Sequence, residues 1–511
     1  MNICMVVHNS GARDGRVMRE AHSLRAAGHD VTVIGIPEGN ASRPLERLTD
    51  GVTVERVDWY PPARRRLVKS AIPRAALFVA AVAALAFGAF RVAVLLLDTG
   101  RAAPLPALFA TAGVIAMGCV ILFGISAALA RRGRANDVLR RKMISGDSAV
   151  TERFPAIRSR IPYWVPDWLL EVAVEPLGWF GGPAAKFSMY RYRSQELAAA
   201  AVRRNPDIVH CHDCSALPTG WLVKRTLAIP LVYDAHEIYE AVAARRFGAT
   251  DYFARVHSRY LPRADAFIAV NDSAATYYRL AYPNAAPAVV IRNATDSEPP
   301  AAYDGCLHRA AGLPETERIL LYQGGFTAHR GLETLVRAGA LLPDGWSLVM
   351  MGWGSLQADL ERKAATGTRD GAPSKVRFVP AVPAAELLAW TQGATAGIVP
   401  YEDKMLNHWI ATPNKLWEYP SAGVPLIVQP FPEMRRIVET YGCGWVLPPE
   451  FSAAAIVSLV AALTDEMIGT AREGCRRFVA ADNWAVYEKR LLALYSSLEE
   501  RVQPSRRPSS A

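Results

Sequence analysis

Short apolar runs alternate along most of the chain with longer stretches in which apolar residues recur every three or four positions. Residues 2–8 form the first run, and an amphipathic stretch from about Asp14 to Ala27, ended by Gly28, follows it. The runs predict strands and the stretches between them predict helices, a pattern typical of parallel sheets covered on both faces. The other runs predicted as strands are residues 31–36, 52–57, 207–210, 230–234, 266–271, 289–293, 319–323, 347–352, 376–379, 397–401, 425–429 and 445–447.

These strands fall into two series, which indicates two doubly wound α/β domains. Pro299 and Pro300 mark a linker between the two series. In open parallel sheets, ligands bind beyond the carboxyl ends of the strands, so the loops there are the candidates for chemistry. The predicted parts are a first domain over residues 1–300, a second over 301–480, a C-terminal helix over 481–500 and a disordered tail over 501–511.

Two long apolar segments interrupt the first series. Residues 75–97 are uncharged except for Arg91, and residues 102–130 contain no charged side chain. About 20 apolar residues are enough for a helix to span the core of a bilayer. The two segments therefore predict a membrane hairpin at about 72–130. A pair of buried helices in a soluble core is the alternative, and the length of the second segment argues against it.

The excess of positive charge flanks this predicted hairpin. The chain of 511 residues has a formal net charge of +10, and segments 64–74 and 131–142 together hold eleven basic residues and one acidic residue. The positive-inside rule places both flanks at the cytoplasmic face of the membrane. A nucleic-acid partner is excluded, because a DNA-binding surface would carry the charge on a recognition element. The tryptophans at about 131–200 fit either an amphipathic interfacial segment or packing against the first domain.

The cysteines and the N-terminus point to the cytosol. Residues 1–8 lack the basic start of a signal peptide, and seven scattered cysteines predict reduced thiols. Cys211 and Cys214 are spaced as CxxC, but without a second cysteine pair this spacing does not indicate a metal or redox site, and we expect Cys211 to be buried at the end of a strand. His210, His212 and Cys214 could be combined into a metal site.

Glycine, histidine and acidic residues cluster where the predicted strands end. The segments are residues 9–11 with 14–21, 207–213, 233–237, 323–325 with 330–333, and 413–419 (PNKLWEY) continuing into 422–425. In this order they resemble the motifs of glycosyltransferase family 4, over about residues 1–60 and 200–480. The resemblance implies the GT-B fold: two doubly wound Rossmann-like domains facing a cleft, the N-terminal one on the acceptor side and interrupted by the membrane hairpin, the C-terminal one binding a nucleotide sugar.

The resemblance assigns the donor site to the second domain. Gly324 and Gly325 would let backbone N–H groups approach the diphosphate. Arg330 stands where the family has a lysine that contacts the diphosphate, and Lys415 supplies a second cation against the charge that the leaving group gains. Glu418 matches a glutamate that accepts hydrogen bonds from the two ribose hydroxyls.

Two positions depart from the pattern of the family. Ile410 stands where a second glutamate often contacts the donor sugar, and Gly325 stands where an arginine often binds phosphate. A subset of the family resembles this chain in having Asn407 together with Pro-Asn-Lys, so Asn407 and Asn414 are included among the donor-binding residues. These departures leave the identity of the sugar open.

In the first domain, His236 matches a family histidine near the transferred sugar, and we predict a catalytic role for it beside Arg330 and Lys415. The alternative for His236 is a core histidine bonded to backbone. The predicted acceptor contacts are Gly11, Arg16, Asp213 and Glu237.

The sequence therefore predicts a membrane-associated glycosyltransferase with its catalytic domains on the cytoplasmic face of the cytoplasmic membrane. It would move a sugar from a nucleoside-diphosphate sugar to a lipid-linked, polyprenyl-diphosphate saccharide, in the synthesis of surface polysaccharide or glycoconjugates. Retention of stereochemistry is implied by the family, and we expect no cofactor or metal. The alternatives are a sugar-nucleotide epimerase of the same fold and a non-catalytic membrane-tethered scaffold.

Overall fold

The computed structural model describes residues 1–11, 14–37, 44–58, 183–242, 249–295, 302–366 and 374–502. By their contacts the residues group into two compact units. The first unit comprises Met1–Ala235, Tyr239–Phe267 and Tyr278–Ala286, and the second comprises His236–Ile238, Ile268–Tyr277 and Pro287–Ala511.

The predicted membrane hairpin, the segment from residue 131 to 182 and the tail beyond residue 502 lie outside the described residues. Within the described part of the chain, no single helix has the length and apolar composition needed to cross a membrane. One pair, Ala453–Ala461 with Asp465–Arg501, meets these criteria only jointly and is bent by 101°. The hairpin stays a prediction.

An eight-stranded sheet has the order β3-β4-β2-β1-β5-β6-β7-β8. Its central strand β1 pairs in parallel with β2 and β5, so that Met5 lies opposite Val33 on one side and His210 on the other. The strands are β1 (Asn2–Val6), β2 (Asp30–Gly35), β3 (Leu45–Arg47), β4 (Thr53–Arg56), β5 (Ile208–His212), β6 (Leu231–Ala235), β7 (Ala266–Ala269) and β8 (Ala288–Val290).

Helices connect most of these strands, as the pattern of apolar positions predicts. The predicted first helix is confirmed: Asp14 caps it, and its carboxylate accepts a hydrogen bond from the backbone N–H of Val17. The antiparallel edge strand β3 was not predicted. The helices are α1 (Gly15–Ala26), α2 (Pro183–Arg203), α3 (Asp213–Leu227), α4 (Tyr239–Val242), α5 (Ala249–Tyr260) and α6 (Asp272–Ala281), with a 3-10 turn at Leu261–Arg263.

A six-stranded sheet forms the centre of the second unit and has the order β11-β10-β9-β12-β13-β14, with every pair parallel. Its core packs around the inward-facing residues of β9 and β10, among them Leu320, Leu348 and Met350. The strands are β9 (Arg318–Gln323), β10 (Trp346–Gly352), β11 (Val376–Pro380), β12 (Ala396–Val399), β13 (Leu426–Val428) and β14 (Gly444–Val446).

The strand order of this sheet reverses at β9. The chain proceeds from β9 through β10 to β11 on one side and continues with β12 on the other side of β9. Ligands in doubly wound sheets bind at the carboxyl end of such a switch point, which here is Gln323. The helices of this unit are α7 (Cys306–Ala311), α8 (Leu332–Gly339), α9 (Gln357–Thr366), α10 (Leu387–Thr391), α11 (Leu406–Trp409), α12 (Lys415–Ser421), α13 (Pro432–Tyr441), α14 (Ala453–Ala461), α15 (Asp465–Ala481) and α16 (Trp484–Val502).

Candidate functional site

A cavity of about 590 Å³ opens at this switch point, and all of its described lining residues belong to the second unit. Gln323 and Gly324 contribute to it from the end of β9, and Tyr401 contributes from the loop after β12. The predicted site residues that line this cavity are His236, Glu237, Gly324, Arg330, Asn407, Asn414, Lys415 and Glu418.

Lys415 projects its ammonium group beside Gly324. Its side chain is only 6% exposed, and Nζ lies 5.3 Å from the centre of the Tyr322 ring. Gly324 has a φ of +123°, and a Cβ built there would stand 2.9 Å from Nζ of Lys415. The glycine therefore makes room for the lysine as well as for a ligand.

Burial, and after it the neighbouring Arg330 cation, lower the pKa of Lys415 to about 8. The Glu418 carboxylate acts in the opposite sense and raises it. The lysine is therefore mostly charged at pH 7, in a setting where a bound anion would stabilise its charged form.

Arg330 lies in the loop that leads into α8. Its Nη1 donates a hydrogen bond to the hydroxyl oxygen of Tyr401 over 3.0 Å. The next residue, Gly331, has a φ of +65°, and a Cβ there would stand 2.1 Å from the carbonyl oxygen of Pro400. The loop is thereby packed against the end of β12, which fixes the arginine beside the cavity.

Glu418 is held by a chain of polar side chains. Gln323 donates from Nε2 to Oε2 of Glu418 over 2.7 Å, and the Thr391 hydroxyl donates to Oε1 of Gln323 over 2.8 Å. The backbone N–H of Gln323 donates to the hydroxyl of Tyr419, which fixes the strand end itself. The sequence did not predict roles for Gln323, Tyr322 or Tyr401. A buried polar side chain at the end of the otherwise apolar strand β9 is the signal that could have found Gln323.

Ile410 forms an apolar part of the cavity wall and is 2% exposed. Its carbonyl oxygen accepts a hydrogen bond from Nδ2 of Asn271 over 2.9 Å. Asn407 also lines the cavity, and its Oδ1 accepts from the backbone N–H of Ile238 over 3.1 Å. Burial lowers the pKa of His408, another lining residue, to about 4, so that it is neutral at pH 7.

Three predicted site residues are placed elsewhere, in the first unit: Gly11, Arg16 and Asp213. Gly11 is buried after β1 with a φ of +72°, and Asp213 begins α3 with a φ of +69°. Gly325 belongs to the second unit but is not among the described lining residues of the cavity. The sequence placed His236 and Glu237 in the first domain, whereas by contacts they group with the second unit.

Arg16 is 7% exposed and faces carboxylates of the protein itself. Its Nε and Nη2 donate to the two oxygens of Asp234 over 2.7 and 2.8 Å, and Nη2 lies 3.4 Å from Glu20. This geometry ties α1 to the end of β6. A contact from Arg16 to an acceptor stays a prediction.

His210 and His212 lie close together, but Cys214, which the sequence combined with them, is not part of their group. They form a buried group with Glu20 and Asp234 in which one ligand atom from each lies within 4.8 Å of the others. Cys214 instead donates from Sγ to the carbonyl oxygen of Phe253. The Arg16 guanidinium already supplies a cation to both carboxylates of this group, so we assign no metal to it.

Two family models match the chain. Residues 122–299 match "Glycosyltransferase Family 4", and residues 317–465 match "Glycosyl transferases group 1". The second match includes Gly324, Arg330, Lys415 and Glu418 of the cavity. A curated relative, the D-inositol 3-phosphate glycosyltransferase of Xylanimonas cellulosilytica, is 24% identical over 407 residues, covering 76% of this chain and 93% of its own.

Solved structures share the fold at low identity. Sucrose-phosphate synthase from Thermosynechococcus elongatus has a TM-score of 0.63 at 15% identity, covering 98% of this chain and 100% of its own. Trehalose-6-phosphate synthase OtsA has a TM-score of 0.59 at 11% identity, covering 98% and 99%. The fold is therefore α/β GT-B with two parallel-sheet units, and the family matches support a glycosyltransferase of the family 4 and group 1 type.

Proposed function

We propose that the protein is a membrane-associated glycosyltransferase that moves a sugar from a nucleoside-diphosphate sugar to a lipid-linked saccharide. The observation that carries the proposal is the cavity at the switch point of the second unit, which gathers two cations, Arg330 and Lys415, with the carboxylate of Glu418. A nucleoside diphosphate fits this combination, because cations bind its anionic phosphates and a carboxylate accepts hydrogen bonds from its ribose hydroxyls.

The two cations act on the leaving group. When the bond from the sugar carbon to the diphosphate oxygen breaks, the electron pair stays on that oxygen and its negative charge grows. The charged forms of Lys415 and Arg330 stabilise this charge in a site of low exposure, where such interactions are stronger than in water. The stabilisation is greater in the transition state than in the ground state, so it accelerates the reaction.

Glu418 holds the nucleoside in place. A carboxylate has about four lone-pair positions, and the bond from Gln323 uses one of those on Oε2. The remaining positions are enough to accept hydrogen bonds from both ribose hydroxyls. Because Gln323 fixes the rotation of the carboxylate, less freedom is lost when the nucleotide binds.

His236 and Ile410 form the part of the wall that we assign to the transferred sugar. His236 offers a ring nitrogen to a sugar hydroxyl, while Ile410 offers no hydrogen bond and favours a less polar edge of the sugar ring. The acceptor hydroxyl oxygen then bonds to the sugar carbon in place of the diphosphate oxygen, and its proton passes to the departing diphosphate. We propose retention of configuration at that carbon.

The membrane and lipid parts of the proposal rest on the sequence. The apolar segments at about 72–130 and their basic flanks support an anchor with both catalytic units at the cytoplasmic face. An anchored enzyme meets its acceptor in the plane of the membrane. This favours a polyprenyl-diphosphate saccharide as the acceptor, used for surface polysaccharide or glycoconjugate synthesis.

A panel of sugar nucleotides, incubated with the full chain, tests the proposal. Each donor is offered alone, with polyprenyl-diphosphate saccharide in membranes, and with D-inositol 3-phosphate, which the relative from Xylanimonas suggests as a soluble acceptor. Release of nucleoside diphosphate that requires the lipid acceptor supports the proposal. Release that requires the soluble acceptor supports a glycosyltransferase but contradicts the lipid-linked acceptor. Conversion of a donor without any acceptor indicates an epimerase, and no turnover indicates a scaffold.

A further inference from the structure

Trp353 is an exposed side chain in the wall of the cavity of the second unit. It directly follows β10 and is 65% exposed, more than any other exposed large apolar side chain in the described residues. Indole is among the largest apolar groups of a protein, so leaving it in water forgoes a large free energy of burial. None of the roles proposed above uses this ring. An exposed indole in the wall of a binding cavity points to a ligand that covers it.

The backbone that carries this indole is fixed by its neighbours. The backbone N–H of Phe326 donates to the carbonyl oxygen of Trp353 over 2.7 Å, and the N–H of Leu356 donates to the carbonyl oxygen of Phe326 over 3.1 Å. A Cβ built at Gly352 would stand 2.0 Å from the carbonyl oxygen of Gly324, so the end of β10 lies directly against the end of β9. With the backbone fixed, only the two side-chain torsions of the tryptophan have to be ordered when a ligand binds.

The wall of the cavity changes in character along the edge of the six-stranded sheet, where the strand order is β11-β10-β9-β12. Lys415 stands beside Gly324, which follows β9. Arg330 donates to the hydroxyl of Tyr401, which follows β12. Neighbouring strands are about 4.8 Å apart, so the ends of β10 and β11 lie progressively farther from these two cations. The described lining residues that follow β10 and β11 include no charged side chain; they are Trp353, Ala381, Val382, Ala384 and Leu387.

A nucleoside diphosphate changes in the same direction, from anionic phosphates through a hydroxyl-bearing ribose to a base with flat apolar faces. The assignments above put the phosphates at Lys415 and Arg330. They put the ribose at Glu418, which is bonded to Gln323 at the end of β9. The base then extends away from the two cations, toward the ends of β10 and β11. We propose that Trp353 stacks on the nucleobase of the donor, a role that rests on the function proposed above.

Stacking suits this part of the wall because it needs no charged or hydrogen-bonding side chain. Every nucleobase has a π-face, so an indole can hold a purine or a pyrimidine. Val382 and Leu387, which line the cavity after β11, add apolar contact area without reading the base through side-chain hydrogen bonds. Trp353 therefore contributes affinity for the nucleoside part of the donor and none for its phosphates.

Calorimetric titration of the full chain with UDP, GDP and ADP, and with inorganic pyrophosphate as a probe without ribose or base, tests this inference. The variants are Trp353→Ala, which removes the ring, and Trp353→Phe, which keeps a smaller one. Leu341→Ala is the matched control, because it removes a 47% exposed apolar side chain that is not among the described lining residues. Glu418→Ala reports on the donor site independently of Trp353. Since the indole is exposed, its removal should leave the temperature of thermal unfolding near that of wild type.

For the nucleotide that wild type binds most tightly, we expect Trp353→Ala to bind about fivefold to a hundredfold more weakly, Trp353→Phe to lose less, and Leu341→Ala to match wild type. The affinity for pyrophosphate should be the same in all three variants as in wild type. The inference is overturned if Trp353→Ala binds the nucleotide as tightly as wild type, or if its affinity for pyrophosphate falls by the same factor. Nucleotide binding that depends on Glu418 and not on Trp353 supports the proposed function and contradicts only the stacking role. If wild type binds none of the three nucleotides, both are contradicted.

Discussion

A methyl group at residue 324 would stand 2.9 Å from Nζ of Lys415. Because Gly324 has no side chain, the buried ammonium group of Lys415 has space at the end of β9. This relationship joins the loop after β9 to the start of α12, and both elements line the cavity of the second unit.

Gly324→Ala should lower kcat/KM for the donor by about tenfold to a hundredfold, because it displaces Lys415 and strains a backbone with positive φ. Gly345→Ala is the matched control, since Gly345 has a φ of +76° and nothing lies within 4 Å of a Cβ built there. The control carries the backbone strain without the contact to lysine. Equal losses in the two variants, measured by steady-state kinetics, would show that the contact with Lys415 has no part in the effect.

The affinity for nucleoside diphosphate should fall as the pH rises above about 8, the pKa that burial and Arg330 give to Lys415. The sign follows from the anion, which binds the protonated lysine: the affinity is full below the pKa and declines by up to about tenfold per pH unit above it. Arginine stays charged over this range, so Lys415→Arg should remove the decline. Titrations of wild type and of Lys415→Arg with nucleoside diphosphate, from pH 7 to pH 10, measure this decline in affinity. A decline that persists in Lys415→Arg would show that another group titrates.

Gln323→Leu should raise the KM for the donor with a smaller effect on kcat, because it leaves Glu418 in place and frees its rotation. One hydrogen bond to a charged group contributes about 1.5–3 kcal/mol at most, so the loss should not exceed that of removing Glu418 itself. Thr391→Val, which removes the bond to Oε1 of Gln323, should have the smallest effect of the three. A larger effect on KM from Thr391→Val than from Gln323→Leu in the same kinetic assay would contradict the proposal that Thr391 acts through Gln323 on Glu418.

Activity should survive chelation of divalent ions by EDTA, because Arg330 and Lys415 supply the positive charge that the leaving group needs. Turnover measured before chelation, after it, and after return of Mg²⁺ or Mn²⁺ tests the expectation. A complete loss that either ion restores would mean that a metal, rather than these side chains, carries the charge stabilisation.

Periodicity alone was enough to predict the parallel strands of both sheets and the capped first helix. The edge strand β3 was missed for a physical reason: Leu45 and Arg47 are exposed and Glu46 is partly so, and the strand forms by antiparallel pairing with β4. A three-residue strand without a buried face leaves no apolar pattern in the sequence.

The site was predictable where residues lie close together in the sequence, as Lys415 and Glu418 do in a single turn of helix. The contacts that orient these side chains were not predictable in this way. Gln323 reaches Glu418 across 95 positions, and Arg330 reaches Tyr401 across 71. Arg16 faces Asp234 across 218 positions, and no local pattern could indicate a buried ion pair there.

The central claim is that the cavity of the second unit holds a nucleoside diphosphate through Glu418. Calorimetric titration of Glu418→Ala with the nucleoside diphosphate released by wild type tests it most directly, beside Glu439→Ala, which removes an exposed carboxylate from α13. The account predicts a loss of about 1.5–3 kcal/mol in Glu418→Ala, or roughly tenfold to a hundredfold weaker binding, and no change in the control. A folded Glu418→Ala protein that binds the nucleotide as tightly as wild type would contradict it.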